Sequence, residues 1–345
     1  MTKKRSRKEK MRVIMLAEES LLPEGKLEDL SEKQRELRKT EFDVRDAIGA
    51  LGHDVFSIGV SDDLSTIRGA IDAHKPDIAF NLLEEFAGVA HFDQHVVSYL
   101  ELRKQPYTGC NPRGLMIARD KALTKKILAY HGLKVPEFAT FPRGRAVKRT
   151  ASLGYPLFVK SLTEEGSVGI SGASIVHDDD KLKERVAFIQ RTTGSTALAE
   201  EFIEGREIYV GVMGNQRPRV LPVWEMLFTN MPPQIRRIAT NRAKWSHAYQ
   251  QKHGITSEEA KDLPPAVLEN IPHLCRRIYK TLSLTGYARV DIRLDAEGRM
   301  YVLEANPNPQ LAYGEDFADS AERAGLSYGE LLQSIINLAL ARRQL

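Results

Sequence analysis

The residues best suited to chemistry gather near the C-terminal end, between Ala288 and Asn306. The Asp295–Gly298 turn separates two alternating runs, which predicts a β-hairpin. With Leu294 paired to Arg299, Arg289 lies opposite Glu304 and Asp291 is its diagonal neighbour. Period-2 alternation puts Arg289, Asp291, Glu304 and Asn306 on one face, and Val290, Ile292 and Leu294 on the other. Two carboxylates and an amide oxygen are hard ligands, suited to Mg²⁺ carried on nucleotide phosphates. A solvated hairpin face with a cross-strand Arg–Glu pair produces the same pattern.

A second cluster runs from Phe158 to Ser171, where Lys160 interrupts an apolar strand ahead of a turn containing Gly166, Ser167 and Gly169. Backbone N–H groups in such a turn cover phosphate oxygens, and a lysine on the strand reaches them. It is not a Walker loop, because G-x-x-x-x-G-K-[ST] is absent and a strand follows rather than a helix. A third stretch, Ala199 to Gly211, brackets an apolar Phe-Ile pair with Glu200, Glu201, Glu204 and Glu207. Adenine needs an amide edge and an apolar slot, and ribose hydroxyls favour a carboxylate; an ordinary acidic turn also fits.

The elements that must carry these residues follow from periodicity. The first third alternates strand and helix signals: a strand at Val13–Leu16, a charged stretch to Lys39, a helix from Thr40 to Leu51, and strands at His53–Ile58 and Asp77–Asn81. Repeated units of this kind imply a parallel sheet with helices on its faces. Asn111-Pro112 opens a helix carrying Leu115, Ala118, Ala122, Leu123 and Ile127, which ends at His131-Gly132. Strands are expected at Pro156–Leu162, Ala173–Val176, Leu198–Phe202 and Glu207–Met213. From Asn215 to Thr256 prolines and charges loosen the pattern, as in a long functional loop. Ser327-x-x-Glu330 is a capping box for a last helix buried through Leu331, Leu332, Ile335, Ile336, Leu338 and Ala339.

The chain has 345 residues, 42% hydrophobic and 28% charged, enough for a full core and two or three domains. Its first twelve residues hold seven Lys/Arg and one Glu; a net +6 there leaves about −2 for the rest of a chain whose formal charge is +4. That balance argues against a broad nucleic-acid face. No apolar run approaches the ~18–20 residues needed to cross a bilayer, and the short one at Val13–Ala17 reads as a strand rather than a signal core. Cys110 and Cys275 lack metal or redox spacing, so a reducing, cytoplasmic setting is expected.

In order along the chain, Asp120-Lys121, Phe158-Val-Lys160, Glu200 through Glu207, Arg289-Val-Asp291 and Leu303-Glu-Ala-Asn306 resemble the successive motifs of the D-alanine–D-alanine ligases, members of the ATP-grasp superfamily. Pro106-Tyr-Thr-Gly109 fits the same family, and the resemblance spans roughly residues 11 to 341. It implies an α/β chain, α+β in its C-terminal half: an ATP-grasp fold preceded by a Rossmann-like parallel-sheet domain. The domains expected are a basic tail (1–10), the N-terminal domain (11–111), a central subdomain (112–202) and a C-terminal subdomain (203–345) with a lid at about 228–256.

The resemblance also implies roles. Lys121 and Lys160 meet the nucleotide's phosphates and base, with Gly166 and Ser167 in the covering turn. Glu200 takes the adenine amino group, Glu201 and Ile203 offer backbone groups, Leu303 lines the adenine floor and Glu207 holds the ribose. Lys244, in the lid, reaches the β- and γ-phosphates. Asp291, Glu304 and Asn306 hold two Mg²⁺ ions, with Mn²⁺ as an alternative; Arg289 steadies the tetrahedral intermediate, and Glu41 meets the amine of the first substrate. The activity implied is ATP-dependent ligation of a small carboxylate to an amine through an acyl phosphate, in a homodimer that binds neither nucleic acid nor membrane.

Departures cluster on the amino-acid side. The family's His-Gly-x-x-Gly-Glu-Asp-Gly segment reads Asn81-Leu-Leu-Glu-Glu-Phe-Ala-Gly88; Gly166 stands at a serine position, Trp245 at a tyrosine, and Gln310 at a glycine. In the family that serine and tyrosine bond when the lid closes, so their joint replacement predicts a lost latch. Three functions remain in view: a ligase with a different or broader amino-acid-type substrate, a true D-alanine–D-alanine ligase, and a non-catalytic ATP-binding regulator. A Rossmann NAD enzyme lacks its G-x-G-x-x-G after the first strand.

Overall fold

A computed structural model describes residues 10–23, 25–164, 166–232 and 235–342. Nearly all of the expected basic tail lies outside them. The chain divides into two compact units, one made of Met1–Pro112 with Gln310–Leu345, the other of Arg113–Pro309.

In the first unit, β1 (Arg12–Glu18) lies between β2 (Asp54–Val60) and β3 (Ile78–Asn81), both parallel to it. Val13 to Ala17 are fully buried, as a central parallel strand requires. Helix α1 (Glu32–Ala50) begins eight residues before the expected Thr40. The overlooked start signal is a capping box: Ser31 accepts from the Gln34 amide while the Gln34 side chain accepts from the Ser31 amide. Helices α2 (Leu64–His74) and α3 (Asp93–Leu102) complete the βα pattern.

The second unit opens with α4 (Pro112–Arg119) and α5 (Lys121–Tyr130), two helices where periodicity predicted one. Asp120 divides them by capping α5: its carboxylate accepts from the amides of Ala122 and Leu123 at 3.0 and 2.9 Å. An antiparallel sheet follows, ordered β4 (Phe138–Phe141), β7 (Ala197–Glu201), β5 (Leu157–Ser161), β6 (Ile175–Val176), with α6 (Asp179–Thr193) against it. A larger antiparallel sheet runs β10 (Ile255–Glu259), β9 (Arg219–Phe228), β8 (Arg206–Met213), β11 (Tyr287–Leu294), β12 (Met300–Pro307).

Strand β9 occupies part of the segment expected to be irregular. Its register against β8 shifts between Val210 and Val212, opposite Leu221 and Pro222. A bulge is where a strand tolerates a proline, and Pro222 had masked the strand signal. The remainder of that segment holds α7 (Asn241–Trp245) and α8 (His247–His253), packed through Met231, Ala243 and Ile255. Beyond β10, α9 (Pro265–Thr281) lies against β8 and β9.

After residue 309 the chain returns to the first unit with α10 (Asp316–Arg323) and α11 (Tyr328–Leu340). The predicted Ser327–Glu330 box caps α11, which packs on α1. The expected 203–345 subdomain therefore ends at Pro309: the apolar stripe of α11 finds its cover in the first unit.

Candidate active site

The β11–β12 hairpin is present, with a different register from the expected one. Leu294 pairs with Met300 and Ile292 with Val302, then a bulge sets Asp291 opposite Glu304 and Arg289 opposite Asn306. The extra residue is Leu303. Because of it the two carboxylates face each other directly instead of diagonally. The predicted face survives: the Asn306 amide nitrogen lies 3.0 Å from Asp291 Oδ2 and 3.4 Å from Glu304 Oε1.

Around this pair the second unit forms a cleft. Lys121, Lys160, Gly166, Ser167, Glu200, Glu201, Ile203, Glu207, Lys244, Asp291, Leu303 and Glu304 all line it, so nearly every residue singled out from sequence converges there. Arg289 and Asn306 stand on the same hairpin face, bonded to Asp291. Glu41 belongs to the other unit, where it is buried on α1.

Charge organises the cleft. Lys160 Nζ sits 2.8 Å from Glu200 Oε1, and Lys125 Nζ sits 2.8 Å from Glu200 Oε2. Burial pushes the Glu200 carboxyl up, but the two lysines outweigh it and hold it below the ordinary range. Glu304 lies 3.8 Å from Lys121 Nζ. Burial works against its charge too, yet Lys121, Lys160, Lys244 and Arg289 together bring its pKa down to about 2. For Asp291 burial prevails and raises the pKa, although Arg289 grips both carboxylate oxygens at 2.8 and 3.0 Å. The Lys244 ammonium and the Arg289 guanidinium share the Tyr209 ring, at 5.8 and 4.9 Å from its centre.

Phe158, Phe202, Ile203 and Leu303 give the cleft its apolar lining. Glu207 accepts from Arg293 at 2.7 Å and from the Tyr209 hydroxyl at 3.0 Å. A carboxylate retains acceptor capacity beyond two such bonds.

The turn and the 238–245 segment are tied together. Trp245 Nε1 donates to the Gly166 carbonyl at 2.9 Å, Ser167 Oγ donates to the Ala239 carbonyl at 2.9 Å, and the Asn241 amide reaches the Ile170 carbonyl at 3.3 Å. The predicted loss of a polar latch is thus corrected. An indole N–H aimed at a backbone carbonyl replaces a bond between two side-chain hydroxyls.

Three residues escaped the sequence reading: Lys125, Tyr209 and Arg293. Lys125 stands one helical turn beyond Lys121, and Arg293 continues the alternation of Arg289 and Asp291, so both carried a signal. Tyr209 looked like any strand aromatic. Asp291, Glu304 and Asn306 meet on one face and, as two carboxylates and an amide, suit a divalent cation by donor chemistry.

A family model described as D-ala D-ala ligase C-terminus matches residues 127–337. A D-alanine–D-alanine ligase of Desulforudis audaxviator is 32% identical over 303 residues, covering 86% of this chain and 91% of its own length. An uncharacterized protein of Sinorhizobium fredii, y4sG, is 32% identical over 274 residues, 78% of this chain and 76% of its own. The D-alanine–D-alanine ligase of Bacillus anthracis complexed with ATP superposes with a TM-score of 0.72 at 24% identity, over 96% of this chain and 97% of that one. The VanG D-Ala:D-Ser ligase of Enterococcus faecalis gives 0.70 at 18% identity, over 96% and 100%. At those identities the two structures speak for the fold.

Proposed function

The chain belongs to the D-alanine–D-alanine ligase family, with the ATP-grasp fold and the ATP-dependent, ADP-forming ligase activity of that family, and we propose that it joins an amino-acid-type carboxylate other than D-alanine to an amine. The observation that carries the site reading is the convergence of Lys121, Lys160 and Lys244 on the facing carboxylates of Asp291 and Glu304. Cations beside paired acids suit a polyphosphate that arrives with its metal.

In this reading the lysines receive the phosphates, Gly166 and Ser167 cover them, and Phe158, Phe202, Ile203 and Leu303 enclose the base. Glu201 and Ile203 offer main-chain groups to its edge, and Glu207 takes the ribose. Since both Glu200 oxygens hold lysines, its main task is to aim Lys160. Asp291, Glu304 and Asn306 hold Mg²⁺, which when bound neutralises charge on the transferring phosphoryl group. The substrate carboxylate attacks the γ-phosphorus and ADP leaves; the amine then attacks the acyl phosphate, sheds a proton, and inorganic phosphate departs. Arg289 stabilises the tetrahedral oxyanion, Glu41 binds the first substrate's amine, and the 228–256 lid excludes water.

Ligation of two D-alanines is the second reading, favoured by the D-alanine–D-alanine ligase relative that is matched over 91% of its length. A screen of ADP release over pairs of D- and L-amino acids, with Mg²⁺ or Mn²⁺, tests both. A best pair other than D-alanine supports the first; D-alanine as the best donor and acceptor overturns it.

A further inference from the structure

The bulge that sets Asp291 against Glu304 leaves Leu303 without a cross-strand partner on β11. At this bulge Lys125 Nζ donates to the Leu303 carbonyl at 3.1 Å. The same ammonium lies 2.8 Å from Glu200 Oε2, and Lys125 is fully buried. Burial drives its pKa down, with Glu200 pulling the other way.

One side chain on α5 therefore ties two strands from different sheets, β7 through Glu200 and β12 through Leu303. Each strand delivers a different part of the cleft. Glu200 aims Lys160, while the bulge fixes both the Leu303 wall and the position of Glu304. Lys121, one turn earlier on the same helix, faces the cleft directly.

We propose that Lys125 is a positioning residue that locks the β12 bulge and the Glu200 carboxylate into one arrangement, so that the base-binding wall and the paired acids keep a fixed spacing. This rests on the cleft being the nucleotide and metal site. Lys125 touches neither ligand; it acts through Leu303 and Glu200. Lys125→Met removes both contacts at similar volume. Lys125→Gln retains a neutral donor for Leu303 and loses the ion pair.

The test measures thermal stability, KM for ATP, kcat, and the Mg²⁺ concentration for half-maximal rate in the wild type and both variants. Supporting partners of metal ligands typically change metal affinity by about 10–100-fold. The expected result for Lys125→Met is a roughly tenfold rise in the Mg²⁺ requirement and in KM for ATP, with a smaller fall in kcat, and Lys125→Gln should recover part of the Mg²⁺ effect. A folded Lys125→Met enzyme in which either constant rises less than about threefold, whatever its melting temperature, overturns the proposal, because a purely structural lysine moves stability alone. If Lys125→Met does not fold, Lys125→Met/Glu200→Gln, which removes the uncompensated carboxylate, is measured against Glu200→Gln by the same criterion. Failure of the underlying site reading looks different: Glu304→Gln then also leaves the Mg²⁺ requirement unchanged.

Discussion

Trp245 donates its indole N–H to the carbonyl of Gly166 across 2.9 Å, which fastens α7 to the glycine turn although neither hydroxyl of the family's latch is present. The acceptor is main chain, so no side chain is needed at Gly166, where φ is +62°. Trp245 is half-exposed, and its bond is therefore open to competition from water.

Trp245→Phe keeps an aromatic ring and deletes the donor. One net hydrogen bond contributes about 0.5–1.5 kcal/mol, so KM for ATP should rise roughly two- to twelvefold. A looser lid also admits water to the acyl phosphate, and ADP release without amine should increase relative to ligation. Steady-state ADP release with and without amine checks this, beside limited proteolysis of the 228–256 segment with and without an ATP analogue and Mg²⁺. Unchanged coupling and unchanged cleavage would remove the latch from the mechanism.

Glu304→Gln and Asp291→Asn should each reduce turnover by at least about a hundredfold, on the scale of losing one electrostatic stabiliser in a closed site. Their effects on stability should differ. Glu304 keeps its charge because four nearby cations outweigh burial, so its ionised form contributes stability and the glutamine variant should lower the melting temperature. For Asp291 burial outweighs Arg289, so the asparagine relieves the cost of a buried charge while leaving that guanidinium short of a partner, and the melting temperature should move less. Thermal melts and Mg²⁺ titrations on both variants separate the two effects. Full activity in either would sink the metal assignment.

Glu41 gives a pH signature. Burial raises its carboxyl from 4.5 to about 7, with Glu84 and Glu18 adding repulsion, and its Oε2 has no hydrogen-bond partner among the described residues. A folded pKa above the unfolded one means that the ionised form costs stability: the cost is absent below about 4.5 and complete above about 7. The upper bound is ~3 kcal/mol. Glu41→Gln should therefore stabilise the protein at pH 8 and have little effect at pH 5, read from melts at both values. If Glu41 binds the substrate amine, wild-type KM for the first substrate should fall as pH rises through 7, and the glutamine variant should lose that slope.

Much of this site was legible because its residues sit on short, regular elements. Alternation alone put Arg289, Asp291, Glu304 and Asn306 on one face, and one inserted residue did not change that, since Leu303 absorbed the shift. The exact opposition of Asp291 and Glu304 was not legible, because a bulge has no pattern of its own when its residue is an ordinary leucine. Lys125 was missed for a related reason. A lysine on a helix reads as solvent-facing, and only the meeting of α5 with β7 and β12 shows that it is buried. Ser31 and Pro222 mark the other limits: a cap concealed among charges, and a proline that reads as a loop until its bulge is seen.

The substrate prediction is the most exposed: D-alanine should be a poor donor and a poor acceptor. With the latch retained in another form, the case rests on the first unit. The segment after β3 closes its own tight turn through Ala87 and Gly88, both at positive φ, with Leu83 buried ahead of it. That segment stands where the family's His-Gly segment is expected, and Asn81 takes the place of the imidazole, its side-chain oxygen accepting from the Leu83 amide at 3.3 Å. Gln310 replaces a glycine, and its amide donates to Thr40 Oγ1 at 3.3 Å, beside Glu41 on α1. A side chain anchored there takes space that a glycine leaves open. Lost hydrogen-bond partners discriminate between substrates by more than an added methylene, which changes binding by only about 1–3 kcal/mol. Catalytic efficiency with D-alanine alone should then fall below the ordinary enzyme range of ~10⁴ M⁻¹s⁻¹. Gln310→Gly should widen tolerance for small acceptors and leave KM for ATP unchanged, since the nucleotide cleft lies wholly in the other unit. Steady-state kinetics with D-alanine decide it: an efficiency at or above that range in the wild type would mean that the turn after β3 and Gln310 preserve the pocket by compensating for one another.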